Sequence, residues 1–94
     1  MEEESSKDKI LQVRVLGPGC TNCQRLETET FNALAELDLT ADLQPVHDLK
    51  KIAEYGTLRT PALVINGKVK CTGRVPAKGE IKRLLLEELK SENQ

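Results

Sequence analysis

Cys20 and Cys23, in Gly17-Pro18-Gly19-Cys20-Thr21-Asn22-Cys23, are the residues best suited to chemistry. The stretch follows an apolar run and opens a run with helical spacing. Cysteines three apart on a helix carry Cβ atoms about 5–6 Å apart, and a modest adjustment brings them within disulfide range. Two chemistries suit such a pair. One is thiol–disulfide exchange, in which a thiolate attacks a disulfide sulfur. The other is metal binding, since two thiolates at this spacing are half a zinc site and also suit soft ions such as Cu(I). Cys20 falls at the helix N-terminus, where unpaired N–H groups and the helix dipole favour its thiolate. Cys23 lies a turn further in, on the apolar face, and is expected to be buried with a higher pKa. In exchange chemistry Cys20 attacks and Cys23 resolves. Gly17 and Gly19 leave room for a partner's backbone.

Three cysteines cannot all pair within one chain. Cys71, the third, reads first as a small buried hydrophobe; the sharper alternative is a regulatory thiol or a third metal ligand. His47, beside Asp48, reads as a surface turn residue, and no spacing brings it to the cysteines to complete a Cys₃His site. Gly17-Pro18-Gly19 lacks the Lys-Ser/Thr and the glycine spacing of a phosphate loop.

The rest of the 94 residues narrows the class. Phe31 and Tyr55 are the only aromatics, so the core must be aliphatic. A net charge of −1, with no basic block and no stacking aromatics, argues against nucleic acid. No apolar run approaches the roughly 20 residues of a membrane span. Met1 to Asp8 is acidic and polar, unlike a signal peptide. The expected compartment is the reducing cytoplasm, where a Cys-x-x-Cys is redox-active or metal-binding before it is structural.

The elements that must position the thiols follow from periodicity. Residues 1–8 read as a disordered acidic tail, 9–90 as one domain and 91–94 as a frayed end. Ile10, Leu11, Val13, Val15 and Leu16 predict a first strand. Cys23, Leu26, Thr30, Ala33, Leu34 and Leu37 mark one face of a helix over about 20–37. Leu39 to His47 predicts a strand that Pro45 confines to a sheet edge. Asp48 caps a short helix, Leu49 to Tyr55, stopped by Gly56. Ala62-Leu63-Val64-Ile65 predicts a strand covered on both faces. Asn66-Gly67 predicts a two-residue hairpin turn that sets Ile65 against Lys68, Val64 against Val69 and Ala62 against Cys71. Residues 77–90 predict a last helix, with Ile81, Leu84, Leu85 and Leu89 facing in and Lys82, Arg83, Glu87 and Glu88 in solvent. The order is β-α-β-α-β-β-α. It predicts a four-stranded mixed sheet in the order 2-1-3-4 with helices on both faces.

A strand, a Cys-x-x-Cys opening a helix, and Thr60-Pro61 leading into an apolar strand with an Asn-Gly hairpin resemble the thioredoxin superfamily. The closer similarity is to its small thioredoxin- and glutaredoxin-like members, the redox-active disulfide proteins of archaea and bacteria. These carry similar Gly-Pro-Gly-Cys, Thr-Pro-Ala-Leu-Val-Ile-Asn-Gly and Gly-Arg-Val-Pro segments. The resemblance covers about residues 9–90. It implies a thioredoxin-like fold and an enzyme, a thiol–disulfide oxidoreductase that reduces protein disulfides through catalytic Cys20 and Cys23. It also implies a cis Thr60-Pro61 bond beside the cysteines, and a substrate-binding surface at Gly19, Thr60, Pro61 and Gly73. No metal and no organic cofactor is implied, because the redox-active disulfide itself carries the electrons. The implied partners are disulfide-containing proteins and an electron donor, either a thioredoxin-reductase-like flavoenzyme or glutathione. The chain is expected to act as a monomer, without membrane or nucleic acid.

The chain departs from the thioredoxin pattern at three places. Gly19 replaces the usual Trp, Thr21-Asn22 separates the cysteines, and Arg14 stands where thioredoxins bury an Asp six residues before the first Cys. The competing readings are a thiolate metal-binding module and a non-catalytic thioredoxin-fold adaptor. Copper chaperones of the ferredoxin-like fold also place a Cys-x-x-Cys between strand and helix, but they end in a strand and this chain is predicted to end in a helix.

Overall fold

A computed structural model of the chain describes residues 10–57 and 59–92. The expected tail at 1–8 and the last two residues of the expected frayed end lie outside them. The elements are β1 (Leu11–Leu16), α1 (Thr21–Leu37), β2 (Ala41–Val46), α2 (Leu49–Glu54), β3 (Ala62–Ile65), β4 (Lys68–Thr72) and α3 (Lys78–Glu92). Helix α3 thus runs two residues past the expected boundary at 90. The sheet order is β2-β1-β3-β4, with β1 parallel to β2 and antiparallel to β3. This is the thioredoxin-like α/β arrangement that the sequence predicts. Among the described residues no helix is long and apolar enough to cross a membrane.

The alternation of β1 divides the interior. Leu11, Val13 and Val15 join Leu63, Ile65, Leu26, Leu34, Ile81 and Leu85 under α1 and α3. Leu16 faces the other way, with Ala62, Val64 and Ile52 of α2. Each fully buried Leu or Ile contributes about 1.5–3 kcal/mol, and twelve buried residues lie on the α1/α3 side against four on the other. The α1/α3 layer therefore carries most of the stability. Strand β3 is buried at all four positions because it contributes to both cores. The buried Thr30 hydroxyl donates to the Leu26 carbonyl at 2.7 Å, so it costs little where it sits.

The ends of the elements follow local chemistry. Strand β2 occupies an edge, as Pro45 requires. The Asp48 carboxylate accepts from Lys50 N–H at 2.9 Å and starts α2. Asn66 and Gly67 both have positive φ, +53° and +80°, the backbone of a tight hairpin turn.

Two expectations are corrected here. Cys71 lies opposite Leu63, not Ala62, because a bulge between Leu63 and Val64 makes Lys70 an extra residue of β4. Set against Ala62, Cys71 would point toward α2; the bulge turns it into the main core with Ile81 and Leu85. Glu88 is the second case. It is 3% exposed rather than solvated. Its Oε2 accepts from Lys70 Nζ at 2.9 Å and Lys68 Nζ at 3.2 Å, and these contacts pin the hairpin to α3. Arg83 and Glu87 do form an exposed pair at 3.0 Å, and Lys82 reaches Glu36 of α1.

Burial pushes the Glu88 carboxyl upward, but the ammonium groups of Lys70 and Lys68 outweigh it and hold it below the usual carboxylate range. A depressed folded-state pKa stabilises the fold above the unfolded value, and that stability is lost as pH falls through the folded one. Glu88→Gln should therefore cost about 1–3 kcal/mol at pH 7. Urea unfolding of both proteins should show the gap closing as the pH is lowered through the carboxylate range. A constant gap from neutral to acid pH would exclude a charge-based role for Glu88.

Candidate active site

Cys20 is the N-cap of α1, with extended backbone, and its carbonyl accepts the first helical bond from Gln24 N–H at 3.0 Å. The next helical turn brings Cys23 beneath it. Cys20 is exposed and Cys23 is 4% exposed. Their Sγ atoms stand 2.9 Å apart, hydrogen-bonded as two free thiols. The environment separates their acidities. The Cys20 thiol is lowered, first by the hydrogen bond from the Cys23 side chain and then by backbone groups at the start of α1. The Cys23 thiol is raised, first by burial and then by donating to Cys20. When the pair loses a proton, the charge therefore favours Cys20 at the surface and the remaining proton favours Cys23 inside.

Gly17 serves this geometry in a way the sequence does not reveal. A Cβ at Gly17 would lie 2.1 Å from Cys23 Sγ. The space expected to admit a partner's backbone is thus filled by the buried sulfur. Gly17 N–H also donates to Val46 O at 2.9 Å and ties the loop to β2. At Gly19, by contrast, nothing lies within 4 Å of a built Cβ, and its φ of +98° favours glycine.

The other expected site residues gather from the far half of the chain. The Thr60-Pro61 bond is cis. Thr60 Cβ and Cys23 Sγ both border the space above Gly17. Gly73 N–H donates to the Pro61 carbonyl at 2.8 Å, so the end of β4 is bound to the proline segment. Cys20, Cys23, Thr60, Pro61 and Gly73 therefore share one end of the sheet.

Three singled-out residues lie elsewhere. Cys71 is buried between β4 and α3, and burial pushes its thiol up. His47 is exposed on the α2 side, along a cleft with Arg14, Lys51 and Tyr55. Arg14, at the position of the thioredoxin Asp, lines the same cleft. Its guanidinium donates to the carbonyls of Asp42 at 2.7 Å and Val13 at 3.0 Å, and pairs with the Asp42 carboxylate at 3.4 Å. No carboxylate is among the groups that shift Cys23. Among the described residues, no three or more His, Cys, Asp or Glu side chains are grouped to hold a metal ion.

Sequence reasoning missed a cleft near the thiols whose lining includes three basic residues, Arg25, Arg74 and Lys78, and one acidic residue, Glu29, with Asn22 and Gly73. Its residues come from α1, the end of β4 and the start of α3, so no local pattern announces it. One available signal was Arg25, a charge two residues after Cys23 and off the apolar face.

An exposed, acidified thiol over a buried one, at the start of a helix and beside a cis-proline, defines a thioredoxin-fold dithiol protein. The family model described as thioredoxin domain matches residues 11–86. The chain is 36% identical over 76 residues to a thioredoxin of Methanothermobacter thermautotrophicus, covering 81% of this chain and 99% of that protein. It is 33% identical over 82 residues to a thioredoxin of Methanocaldococcus jannaschii, covering 87% and 90%. The chain belongs to the thioredoxin family.

Two measurements test the geometry. Alkylation of Cys20 should titrate below the roughly 8.5 of a free cysteine. In Cys23→Ala its midpoint should move up, because the strongest lowering group is gone. Gly17→Ala should cost about 1–3 kcal/mol by crowding Cys23, read by urea unfolding of the reduced protein. An unchanged stability would mean that the loop has slack around the sulfur.

Proposed function

We propose that this thiol–disulfide oxidoreductase reduces protein disulfides, with Cys20 as the attacking thiol and Cys23 as the resolving thiol. The observation that carries the reading is the split pair, one sulfur exposed and acidified and the other buried and protonated, 2.9 Å apart. Exchange needs a thiolate that a partner can reach and a second thiol held within striking distance.

The steps balance within the sulfur atoms. The Cys20 thiolate attacks one sulfur of the substrate disulfide. A Cys20–substrate S–S bond forms, the substrate S–S bond breaks, and the departing sulfur leaves as a thiolate that takes up a proton. Cys23 then gives up its proton and attacks Cys20 Sγ, closing the Cys20–Cys23 disulfide and releasing the second substrate thiolate. The substrate gains two electrons from the protein and takes up two protons, one given up by Cys23 and one from solvent, which had already taken the proton of Cys20. With no carboxylate acting on Cys23, its proton goes to solvent or to the departing thiolate. Gly19, the Thr60-Pro61 segment and the exposed Gly73 form the surface on which an extended substrate segment lies. Recharging requires two electrons from thiols, and a thioredoxin-reductase-like flavoenzyme, or two glutathione molecules that leave as glutathione disulfide, supply the right chemistry. No organic cofactor enters these steps. The direction suits a reducing compartment such as the cytoplasm.

Cys20→Ser should abolish insulin disulfide reduction, and Cys23→Ser should accumulate a mixed disulfide with the substrate. Mass spectrometry of the trapped adduct should place the new bond on Cys20. Full reductase activity in Cys20→Ser would overturn the assignment. Cys71→Ala should reduce insulin as the parent does, whereas a regulatory Cys71 would change the rate after peroxide treatment.

A further inference from the structure

Neither cysteine lines the cleft of about 560 Å³, but residues next to the site do. Asn22, between the two cysteines, forms one wall, and Gly73, bonded to Pro61, forms another. A segment crossing Pro61 from Cys20 must pass Gly73 and so meets this cleft. Its charges are not equivalent. Arg74 is held by Glu80 at 2.8 Å, and Lys78 is ion-paired with Glu36. Arg25, on the cleft wall, has no ion pair among the described residues. Nor has Arg59, whose Nε lies 3.4 Å from where a Gly73 Cβ would be. Arg59 stands immediately before Thr60-Pro61. Two exposed, uncommitted guanidinium groups thus flank the path on which substrate backbone is read. The chain as a whole carries a net charge of −1, so this is a local feature and not a general excess of base.

Resting on the reductase reading above, we propose that Arg25 and Arg59 select protein disulfides flanked by acidic residues. The partner is a protein segment with Asp or Glu beside its cystine, laid past Gly73 with its carboxylates on the two guanidinium groups. A planar guanidinium fork pairs a carboxylate through two parallel hydrogen bonds, which gives register as well as attraction. Such rim charges act mainly on the rate of encounter and suppress partners of the wrong sign. Glu29 also lines the cleft, on the α1 wall. It lies one helical turn beyond Arg25 on the same wall and repels carboxylates from that end of the cleft.

The test uses pre-reduced full chain in single-turnover reactions, so no added reductant is needed. Matched synthetic peptide disulfides with acidic, neutral or basic flanks are compared with glutathione disulfide. At low ionic strength the acidic peptide should react about 5- to 20-fold faster than the neutral one, and the basic peptide slower. About 0.5 M salt should bring the ratios close to one. In Arg25→Gln/Arg59→Gln the acidic-to-neutral ratio should fall toward one, and in Arg25→Glu/Arg59→Glu the preference should invert. Equal rates for acidic and neutral peptides, or a preference that survives in the double Gln variant, would overturn the proposal. So would glutathione disulfide outrunning the acidic peptide, which would make the cleft a site for small anionic disulfides. If no peptide is reduced at all, the reductase reading itself fails and takes the specificity with it; reduction without charge preference refutes the specificity alone.

Discussion

Holding two sulfur atoms 2.9 Å apart with only one of them in water is the constraint on which this structure turns. It asks for a helix that begins at the surface and descends into the core within one turn, which α1 does between Cys20 and Cys23. It asks for a loop that passes close over the buried sulfur, which is possible only because Gly17 has no side chain. It also asks that α1 not shift along its axis, because a small translation would either drown Cys20 or expose Cys23. Leu26, Thr30, Ala33 and Leu34 bury the inner face of α1 and supply that anchorage. The small Ala33 and the self-satisfied Thr30 let the helix lie close to the sheet. The main core can thus be seen as the fixture that holds one pair of atoms.

Much of the fold was legible because short-range signals coincide with long-range ones. The alternation of β1, the heptad-like face of α1, the Asp48 cap and the Asn66-Gly67 turn each specify a local conformation, and Pro45 excludes β2 from the middle of the sheet. What periodicity cannot supply is a defect in it. The bulge at Lys70 breaks the two-residue repeat of β4, and nothing in Lys68-Val69-Lys70-Cys71 marks where the break falls. The burial of Glu88 was hidden for a related reason. On its own helix it belongs with Glu87 on a charged face, and only the hairpin's lysines, twenty and eighteen residues earlier, make an interior position tolerable.

The site divides in the same way. The acidity order of Cys20 and Cys23 was readable, because helix position alone distinguishes an N-terminal thiol from one a turn inside. The placement of Thr60-Pro61 beside them was implied by resemblance, since no spacing rule connects residues forty apart. The function of Gly17 was misread because a flexible residue before a nucleophile suggests access, whereas the adjacent atom is the protein's own sulfur. Arg14 could be counted to the place of an acid, but its direction depended on the Asp42 carbonyl across the β1–β2 pairing.

The charged groups that do not line the thiols still bear on what the thiols can bind. Lys78 and Lys82 of α3 both reach Glu36 of α1, pulling its carboxyl down to about 2. Arg74 and Glu80 join the end of the hairpin to the start of α3, and Glu88 joins the start of β4, next to the hairpin turn, to the C-terminal half of α3. Apart from the buried Glu88 contacts, these pairs are exposed and add little stability singly, about 0–1 kcal/mol. Their placement matters more, since they link α1, α3 and the hairpin at several separated points. The walls of the cleft beside Cys20 belong to these three elements. A partner that docks there meets a surface already ordered, and loses little of its binding energy to ordering the site. On the opposite face, α2 rests on a core of four buried residues and shares none of these ties. The side of the molecule that these pairs tie together is therefore the side that presents the thiols.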